Sequence, residues 1–241
     1  MSQPRVSIVV PIKNEEDNIV PLVEACRAGL GGLYLQCELI LVDDGSTDRS
    51  VARMQEVARQ DPVVRWIAFE RNFGQSAALD AGFKAARADL IATMDGDVQN
   101  DPADLPQMLA LIESGECDCV FGIRQKRQDN WLRKISSKIG NGVRNWLTHE
   151  SIKDVGCALR LMRRAYLSRV KMYSGMHRFL PTLVRLEGAR IREIPVRHHP
   201  RTRGKAKYGV WNRMWVGLRD VFAVRWMRDR HIAYRIKSQS E

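Results

Sequence analysis

Asp89-Leu90-Ile91-Ala92-Thr93-Met94-Asp95-Gly96-Asp97-Val98-Gln99 is a short apolar run that ends in two carboxylates and an amide. An apolar run of this length bounded by turn residues reads as a strand buried on both faces. In extended backbone, residues two apart point the same way. Asp95, Asp97 and Gln99 are therefore expected to present oxygens together, the donor type that Mg²⁺ or Mn²⁺ prefers. Asp-Gly-Asp also makes ordinary turns, so the surrounding sequence has to decide between the two readings.

Working outward, Val6-Ser7-Ile8-Val9-Val10-Pro11, Glu38-Leu39-Ile40-Leu41-Val42 and Val64-Arg65-Trp66-Ile67-Ala68-Phe69 read as three earlier strands. Asn14-Glu15-Glu16-Asp17 is a helix-start signal ahead of an apolar periodicity through Ile19, Leu22, Val23 and Cys26. Ser46, Thr47 or Asp48 can cap a second helix, and Gln75 to Arg87 forms a third. Asp101-Pro102 opens a helix near Leu105 to Ile112, and Asp118-Cys119-Val120-Phe121-Gly122 is a fifth strand. This alternation predicts an α/β fold: a Rossmann-like, mostly parallel sheet flanked by helices. Ligands in such sheets bind beyond the carboxyl ends of the strands. Asp43-Asp44 and Asp95 to Asp97 both lie at carboxyl ends, so they are expected to share one crevice.

The charge is split along the chain. Residues 1–120 carry 10 Lys and Arg against 20 Asp and Glu, net −10, whereas residues 121–241 carry 29 against 8, net +21. An acidic half that holds a metal and a basic half that holds anions suit a phosphate-bearing reaction; nucleic acid or an anionic membrane equally explains the basic half. Five cysteines with no C-x-x-C pair read as packing residues in a reducing compartment. The N-terminus runs straight into a strand without a signal-peptide apolar core. No apolar run approaches the roughly eighteen residues of a spanning helix. His198-His199 lies on an extended segment, where neighbours face opposite ways, which argues against a shared metal.

Val9-Val10-Pro11-Ile12-Lys13-Asn14-Glu15, Leu41 to Asp48, Arg71-Asn72-Phe73-Gly74-Gln75 and Met94 to Pro102 occur in this order on the expected strand ends. Together they resemble glycosyltransferase family 2, with its nucleotide-sugar-binding, GT-A type fold. More narrowly, on Gln99-Asn100-Asp101-Pro102 and the basic second half, the chain resembles the branch of dolichol-phosphate mannose synthases and bacterial polyprenyl-phosphate glycosyltransferases, and the match extends through Arg201-x-x-Gly204-x-x-Lys207-Tyr208. The resemblance covers residues 5–210 and implies an inverting transfer of a sugar from a nucleotide-diphosphate donor to a polyprenyl or dolichyl phosphate. It implies Mg²⁺ or Mn²⁺ on Asp95, Asp97 and Gln99, and donor contacts from Pro11, Lys13, Glu15, Asp43, Asp44, Gln75 and Asp95. Arg124, Arg133, Ser137, Arg201 and Lys207 become candidates for the acceptor phosphate. Asp97 and Asp154 are the catalytic candidates, Asp154 as a base or as an orienting group. Gly74-Gln75-Ser76 before a helix can cradle a phosphate through its N–H groups or be a plain turn. Ala206 stands where many members place Ser, so one phosphate donor of the family is missing here.

Two segments bear on a membrane. Trp131, Ile135, Ile139, Val143 and Trp146-Leu147 recur at helical spacing beside Arg133, Lys134, Lys138 and Arg144. Trp211, Met214, Trp215, Leu218, Val221, Phe222 and Trp226 repeat the pattern beside Arg213, Arg219, Arg225 and Arg228. Such helices can lie in the headgroup plane, although core packing gives the same periodicity. The expected organisation is a catalytic domain over 1–209, with a donor and metal half at 1–122 and an acceptor half at 123–209, followed by a membrane-interface helix and tail at 210–241. Peripheral attachment at the cytoplasmic face of the membrane, beside a separate membrane-protein partner, is the expected setting. Two other readings stay open: a transferase acting on a saccharide or protein hydroxyl with Asp154 as base, and a nucleic-acid or membrane-binding protein with an inactive transferase core.

Overall fold

β1 (Val6–Ile12), β2 (Cys37–Asp43), β3 (Val64–Ala68), β4 (Leu90–Thr93), β5 (Cys119–Arg124), β6 (Arg160–Arg163) and β7 (Ile191–Val196) form one sheet in the order β3-β2-β1-β4-β6-β5-β7. The computed structural model describes residues 3–125, 152–200, 210–232 and 238, without the side chains of 210–218. β1 pairs in parallel with β2 and β4, β2 with β3, and β5 with β7; β6 alone among these strands runs against its neighbours β4 and β5. The mostly parallel α/β sheet expected from the sequence is therefore present, with two additional strands. β6 and β7 escape notice because β6 is only four residues long and begins and ends on Arg, while β7 alternates polar and apolar side chains.

Strand alternation assigns the core to two layers. Ile8, Val10 and Ile12 of β1, with Leu39 and Leu41 of β2, face one side. There they meet Ile19, Leu22 and Cys26 of α1 (Ile19–Leu30), Met54 of α2 (Ser50–Gln60) and Met108 and Ile112 of α4 (Leu105–Glu113). Val9, Ile40, Val42 and Ile91 face the other side, against Ala78, Leu79 and Phe83 of α3 (Gln75–Ala85) and Leu180 and Val184 of α6 (Leu180–Leu186). A one-residue slip of β1 would exchange these faces. Burying each such side chain contributes about 1.5–3 kcal/mol. All five cysteines lie unpaired in these layers, and burial pushes the Cys26 and Cys119 thiols up to about 12, as expected for packing residues rather than reactive ones.

Between α5 (Arg164–Leu167) and α6, a 3-10 turn over Met176–Phe179 receives the C-terminal helix α7 (Val210–Asp229). Val221 and Val224 of α7 pack on Met176, Phe179 and Leu183, and the buried Asp220 reaches Arg178 at 3.4 Å. Phe222 and Trp226, grouped with Val221 by sequence periodicity, are instead 54% and 65% exposed, because the domain takes only the Val221 and Val224 side of the helix. The segment from Trp131 to Leu147 lies outside the described residues. Among the described residues no helix is long and apolar enough to cross a membrane.

Buried carboxylates tie the sheet to its edges. Glu38 on β2 accepts from Ser7 Oγ at 2.6 Å, the Arg87 amide at 2.6 Å and Arg65 Nη1 at 2.5 Å. Burial alone would raise Glu38, but these donors outweigh it and hold it below the usual carboxylate range. Asp118 is lowered chiefly by Arg190, which donates its amide, Nε and Nη2. A carboxylate lowered in the folded state stabilises above its unfolded pKa of about 4, and that contribution is lost as pH falls through the folded value. The denaturation midpoint is therefore expected to hold steady down to pH of about 5 and to fall below it. Glu38→Gln should start about 1–3 kcal/mol less stable at pH 7 and lose less on acidification. Urea melts of both proteins across this range check the sign.

Candidate active site

The loops after β1 and β2 are stitched together before any ligand arrives. Asn14 adopts a left-handed conformation (φ 48°), which Asn tolerates better than most residues. Its amide donates to Ser46 Oγ at 2.8 Å, and its side-chain oxygen accepts from the Thr47 amide at 2.8 Å. The Glu15 amide donates to Ser50 Oγ, the Glu16 amide to Asp48, and the Arg49 amide to Glu16. The helix-start signal at 14–17 is thus a loop lock, and α1 begins only at Ile19. Lys13 Nζ donates to the carbonyls of Asp44 and Gly45, and the buried Glu15 accepts from Asn18 Nδ2.

The paired aspartates at the end of β2 have separate tasks. Asp44 accepts from the amides of Phe73, at 2.7 Å, and Gly74, at 3.0 Å, and so fixes the loop that starts α3. Asp43 is fully buried; its Oδ2 accepts from the Ser46 amide at 2.9 Å, while Oδ1 has no hydrogen-bond partner among the described residues. A buried carboxylate oxygen without a donor is costly, and only an incoming N–H or O–H group would match it.

Asp95 to Gln99 is a turn rather than an extended segment, and Val98 sits at φ 59°. The alternation argument for this stretch therefore does not hold; the turn, not the strand period, groups the side chains. Asn100 Oδ1 accepts from the Asp95 amide at 3.0 Å, and Asp97 Oδ1 accepts from the Gln99 amide at 3.3 Å. Burial and the neighbouring Asp97 charge push Asp95 up to about 6, against Arg160, Arg124 and the Gln75 side chain, which donates to Asp95 Oδ1 at 3.1 Å. Two carboxylates strained in this way are a donor set that a divalent cation relieves. Among the described residues no three His, Cys, Asp or Glu side chains converge, so a cation on Asp95 and Asp97 would take further oxygens from amides, water or substrate. Gln99 points its amide nitrogen at the His199 carbonyl, 3.1 Å away.

Opposite this turn lies the basic wall. Arg124, at the end of β5, forms a two-pronged pair with Asp154: Nε to Oδ2 at 2.8 Å and Nη2 to Oδ1 at 2.9 Å. Asp154 is 8% exposed and also accepts from the amides of Arg124 and Gly156. The antiparallel register of β6 places Arg160 beside Thr93. Arg160 is 5% exposed and donates to the carbonyls of Cys157, His177 and Val155. Ser76 Oγ and His177 Nδ1 lie 2.8 Å apart. Pro11, Gln75, Asp95, Arg160, His177 and Arg178 line an open cleft of about 210 Å³, room for only part of a small-molecule ligand.

The sequence-predicted residues Pro11, Gln75 and Asp95 line this cleft, whereas Arg133, Ser137, Arg201 and Lys207 lie outside the described residues. The approach to Arg201 is nevertheless fixed. Asn100 bridges His198, the His199 amide donates to the Gln99 carbonyl at 2.8 Å, and Arg197 is held by Asp101 at 3.1 Å and Asp104 at 2.9 Å. Gln99-Asn100-Asp101-Pro102 thus anchors the chain that leads to the basic segment. Arg160, His177 and Arg178 were missed by sequence reasoning. A signal existed for Arg160, a lone charge inside the apolar run Cys157-Ala158-Leu159-Arg160-Leu161-Met162.

Residues 7–171 match the family model for glycosyl transferase family 2. The chain belongs to glycosyltransferase family 2. It is 44% identical over 208 residues to a dodecaprenyl-phosphate galacturonate synthase of Rhizobium johnstonii, covering 85% of this chain and 62% of that relative. It is 38% identical over 207 residues to an undecaprenyl-phosphate 4-deoxy-4-formamido-L-arabinose transferase of Edwardsiella ictaluri, covering 85% and 63%. The chain therefore spans less than two thirds of the length of these relatives. Among solved structures, glucosyl-3-phosphoglycerate synthase of Mycobacterium tuberculosis with Mn²⁺, UDP and glucosyl-3-phosphoglycerate superposes with a TM-score of 0.68 at 19% identity, over 93% of this chain and 80% of that one. A mannosyltransferase of Pyrobaculum calidifontis with GDP-mannose and Mn²⁺ gives 0.67 at 16%, over 97% and 66%. These two likenesses establish the GT-A type fold.

Gly45 makes the loop contacts possible. It sits at φ 67°, and a Cβ there would lie 2.3 Å from the Arg71 carbonyl carbon. Gly74 has φ 94° but nothing within 4 Å of the same position. Gly45→Ala is expected to cost roughly 2–4 kcal/mol, strain plus overlap, and Gly74→Ala about 1–3 kcal/mol of strain without overlap. Equal losses in chemical denaturation would contradict the role given to Gly45.

Proposed function

We propose that this family 2 transferase moves a sugar, with inversion, from a nucleotide-diphosphate donor to a polyprenyl phosphate at the cytoplasmic face of a membrane, using Mg²⁺ or Mn²⁺. One observation carries the acceptor class: Asp154, the carboxylate in position to be a base, is locked by Arg124 and two backbone amides. A hydroxyl acceptor needs a base to take its proton. A lipid monophosphate, with a second pKa near 6, is already largely a dianion at pH 7. The polyprenyl-phosphate names of the relatives at 38–44% identity support the same acceptor.

On the donor side, Asp43 Oδ1 is the free acceptor for an N–H or O–H of the nucleotide, and Asp44 holds the Phe73-Gly74 amides that shape the adjoining wall. Asp95 and Asp97 hold the cation, with Gln75 orienting Asp95. Gln99 is the third proposed ligand. A divalent cation there supplies positive charge against the leaving diphosphate. On the acceptor side, Arg133, Ser137, Arg201 and Lys207 are assigned to the phosphate, with Arg197 and His199 anchoring the approach to the last two. Forked guanidinium groups suit phosphate oxygens without neutralising the nucleophile. Phe222 and Trp226, exposed on α7 beside Arg219 and Arg225, favour peripheral attachment to an anionic bilayer.

Incubation with polyprenyl phosphate, Mn²⁺ and radiolabelled UDP- or GDP-sugars is expected to yield chloroform-extractable label with at least one donor. Asp154→Asn should lower the melting temperature yet keep measurable turnover. No extractable label with any donor, or complete loss of turnover in a folded Asp154→Asn protein, contradicts the proposal; the second result would restore Asp154 as a base.

A further inference from the structure

α7 has two sides with different neighbours. Asp220, Val221 and Val224 are buried on one, while Arg219, Phe222 and Trp226 stand exposed along the other at helical spacing. The buried side joins neither core layer of the sheet. Val221 and Val224 form a small separate cluster with Met176, Phe179 and Leu183, so α7 can lift from the domain without opening the sheet. What α7 rests on is the wall of the cleft. The turn Met176–Phe179 starts from Gly175 at φ 82°, where a Cβ would lie 2.6 Å from Asp220 Oδ2, and Arg178 Nη2 donates to that same oxygen at 3.4 Å. This turn touches the site at three points. His177 Nδ1 lies 2.8 Å from Ser76 Oγ, beside the Gln75 that donates to Asp95; the His177 carbonyl accepts from Arg160 Nη1 at 2.8 Å; and Arg178 lines the cleft. Its own backbone bonds, from the Met176 amide to Tyr173 at 3.0 Å and from the Arg178 amide to Gly175 at 3.4 Å, are local and leave its position to what packs on it.

We infer that α7 couples attachment at an anionic membrane surface to the affinity of the cleft for a nucleotide diphosphate. The bilayer takes the Phe222 and Trp226 side, and this seats the Val221 and Val224 side on the turn that carries His177 and Arg178. The coupling rests on the donor and membrane readings given above and adds the link between them. The occupant follows from side-chain chemistry. Two exposed aromatics on one stripe, flanked by Arg219 and Arg225 against Asp229, with Arg230 just past the helix end, are what an anionic headgroup layer attracts and covers. The link follows from the cost of ordering a helix. A helix detached from its neighbours is marginal in water, because fixing its first turn is unfavourable. A bilayer that holds one side helical has met that ordering cost, so the opposite side seats on the turn more readily. In a protein seated for only a fraction of the time, the apparent affinity of the cleft is reduced by that fraction. Linkage is reciprocal, so a bound nucleotide must tighten membrane attachment by the same factor.

Calorimetry of the full chain with UDP and GDP at saturating Mn²⁺ is run in buffer, with phosphatidylcholine vesicles, and with vesicles carrying about one third phosphatidylglycerol. Soluble glycerol phosphate separates headgroup charge from a surface. For at least one nucleotide the anionic vesicles should tighten binding by about threefold or more, which corresponds to α7 being seated about one third of the time or less in buffer. Neutral vesicles and glycerol phosphate should give no gain. Cosedimentation with anionic vesicles should tighten by the same factor when that nucleotide and Mn²⁺ are present. Phe222→Ser combined with Trp226→Ser should abolish vesicle binding and the gain together. Val221→Ser combined with Val224→Ser leaves the exposed side intact, so it should bind vesicles within about threefold of the unaltered protein yet show no gain. Melting curves of both variants separate a lost seat from a lost fold. Vesicles that bind and leave nucleotide affinity unchanged would overturn the inference and leave the transferase reading standing, as would a gain that survives Val221→Ser with Val224→Ser. Absence of vesicle binding would also overturn it and would leave the exposed side to a protein partner. Failure of both nucleotides to bind under every condition would overturn the donor reading and the inference together.

Discussion

The antiparallel run of β6 between β4 and β5 sets Arg160 opposite Thr93, two residues before Asp95. In a wholly parallel sheet the end of β4 would meet only other carboxyl ends, and the crevice would gather acids. Reversing one strand brings the start of β6 to that place and with it a buried guanidinium. Burial lowers the Arg160 pKa from its ordinary value, and the charges of Asp95 and Asp154 are among the influences that raise it. Asp95, in turn, is raised by burial and by Asp97 and lowered by Arg160. The cleft is therefore a coupled charge system, in which no member has the environment it would have alone.

This coupling needs fixed loops. The β1 and β2 loops exchange hydrogen bonds through Asn14, Glu16, Ser46 and Asp48, and Asp44 carries that frame across to the start of α3 through the Phe73 and Gly74 amides. The turn from Asp95 to Asn100 is closed by its own Asn100 side chain and continues into the pairing with His198 and His199. The loops after β1 and β2 and the approach to the basic segment are thus held by two sets of hydrogen bonds in which side chains cap backbone amides. Such preorganisation lets side chains meet a developing charge without rearranging.

β1, β2, β4 and β5, and the placing of the acidic clusters at carboxyl ends, were legible because largely buried strands leave continuous apolar runs, whereas the half-exposed edge strand β3 showed only through Val64, Trp66, Ile67 and Phe69. The two later strands were not, since β6 is short and charged at both ends and β7 shows polar residues on one side. Asp44 looked identical to Asp43 in sequence; only the third dimension shows that one faces backbone amides and the other keeps an unmatched oxygen. Asp95, Asp97 and Gln99 were grouped by a strand period that the left-handed Val98 breaks. Arg178 and His177 could not be found by pattern, because their place in the cleft depends on a 3-10 turn that comes from far along the chain to meet Ser76. Arg133, Ser137, Arg201 and Lys207 rest on resemblance to the family.

In the function proposed above, the turn at Asp95 to Gln99 is the cation-dependent end of a nucleotide-diphosphate site. Titrating UDP and GDP into the protein with and without Mn²⁺, and repeating the titration with Asp97→Asn, tests it most directly. For at least one nucleotide Mn²⁺ should tighten binding by about tenfold or more, and Asp97→Asn should remove this gain while leaving the weak metal-free binding in place. Affinities that are the same with and without Mn²⁺, or an Mn²⁺ gain that survives in Asp97→Asn, would contradict it.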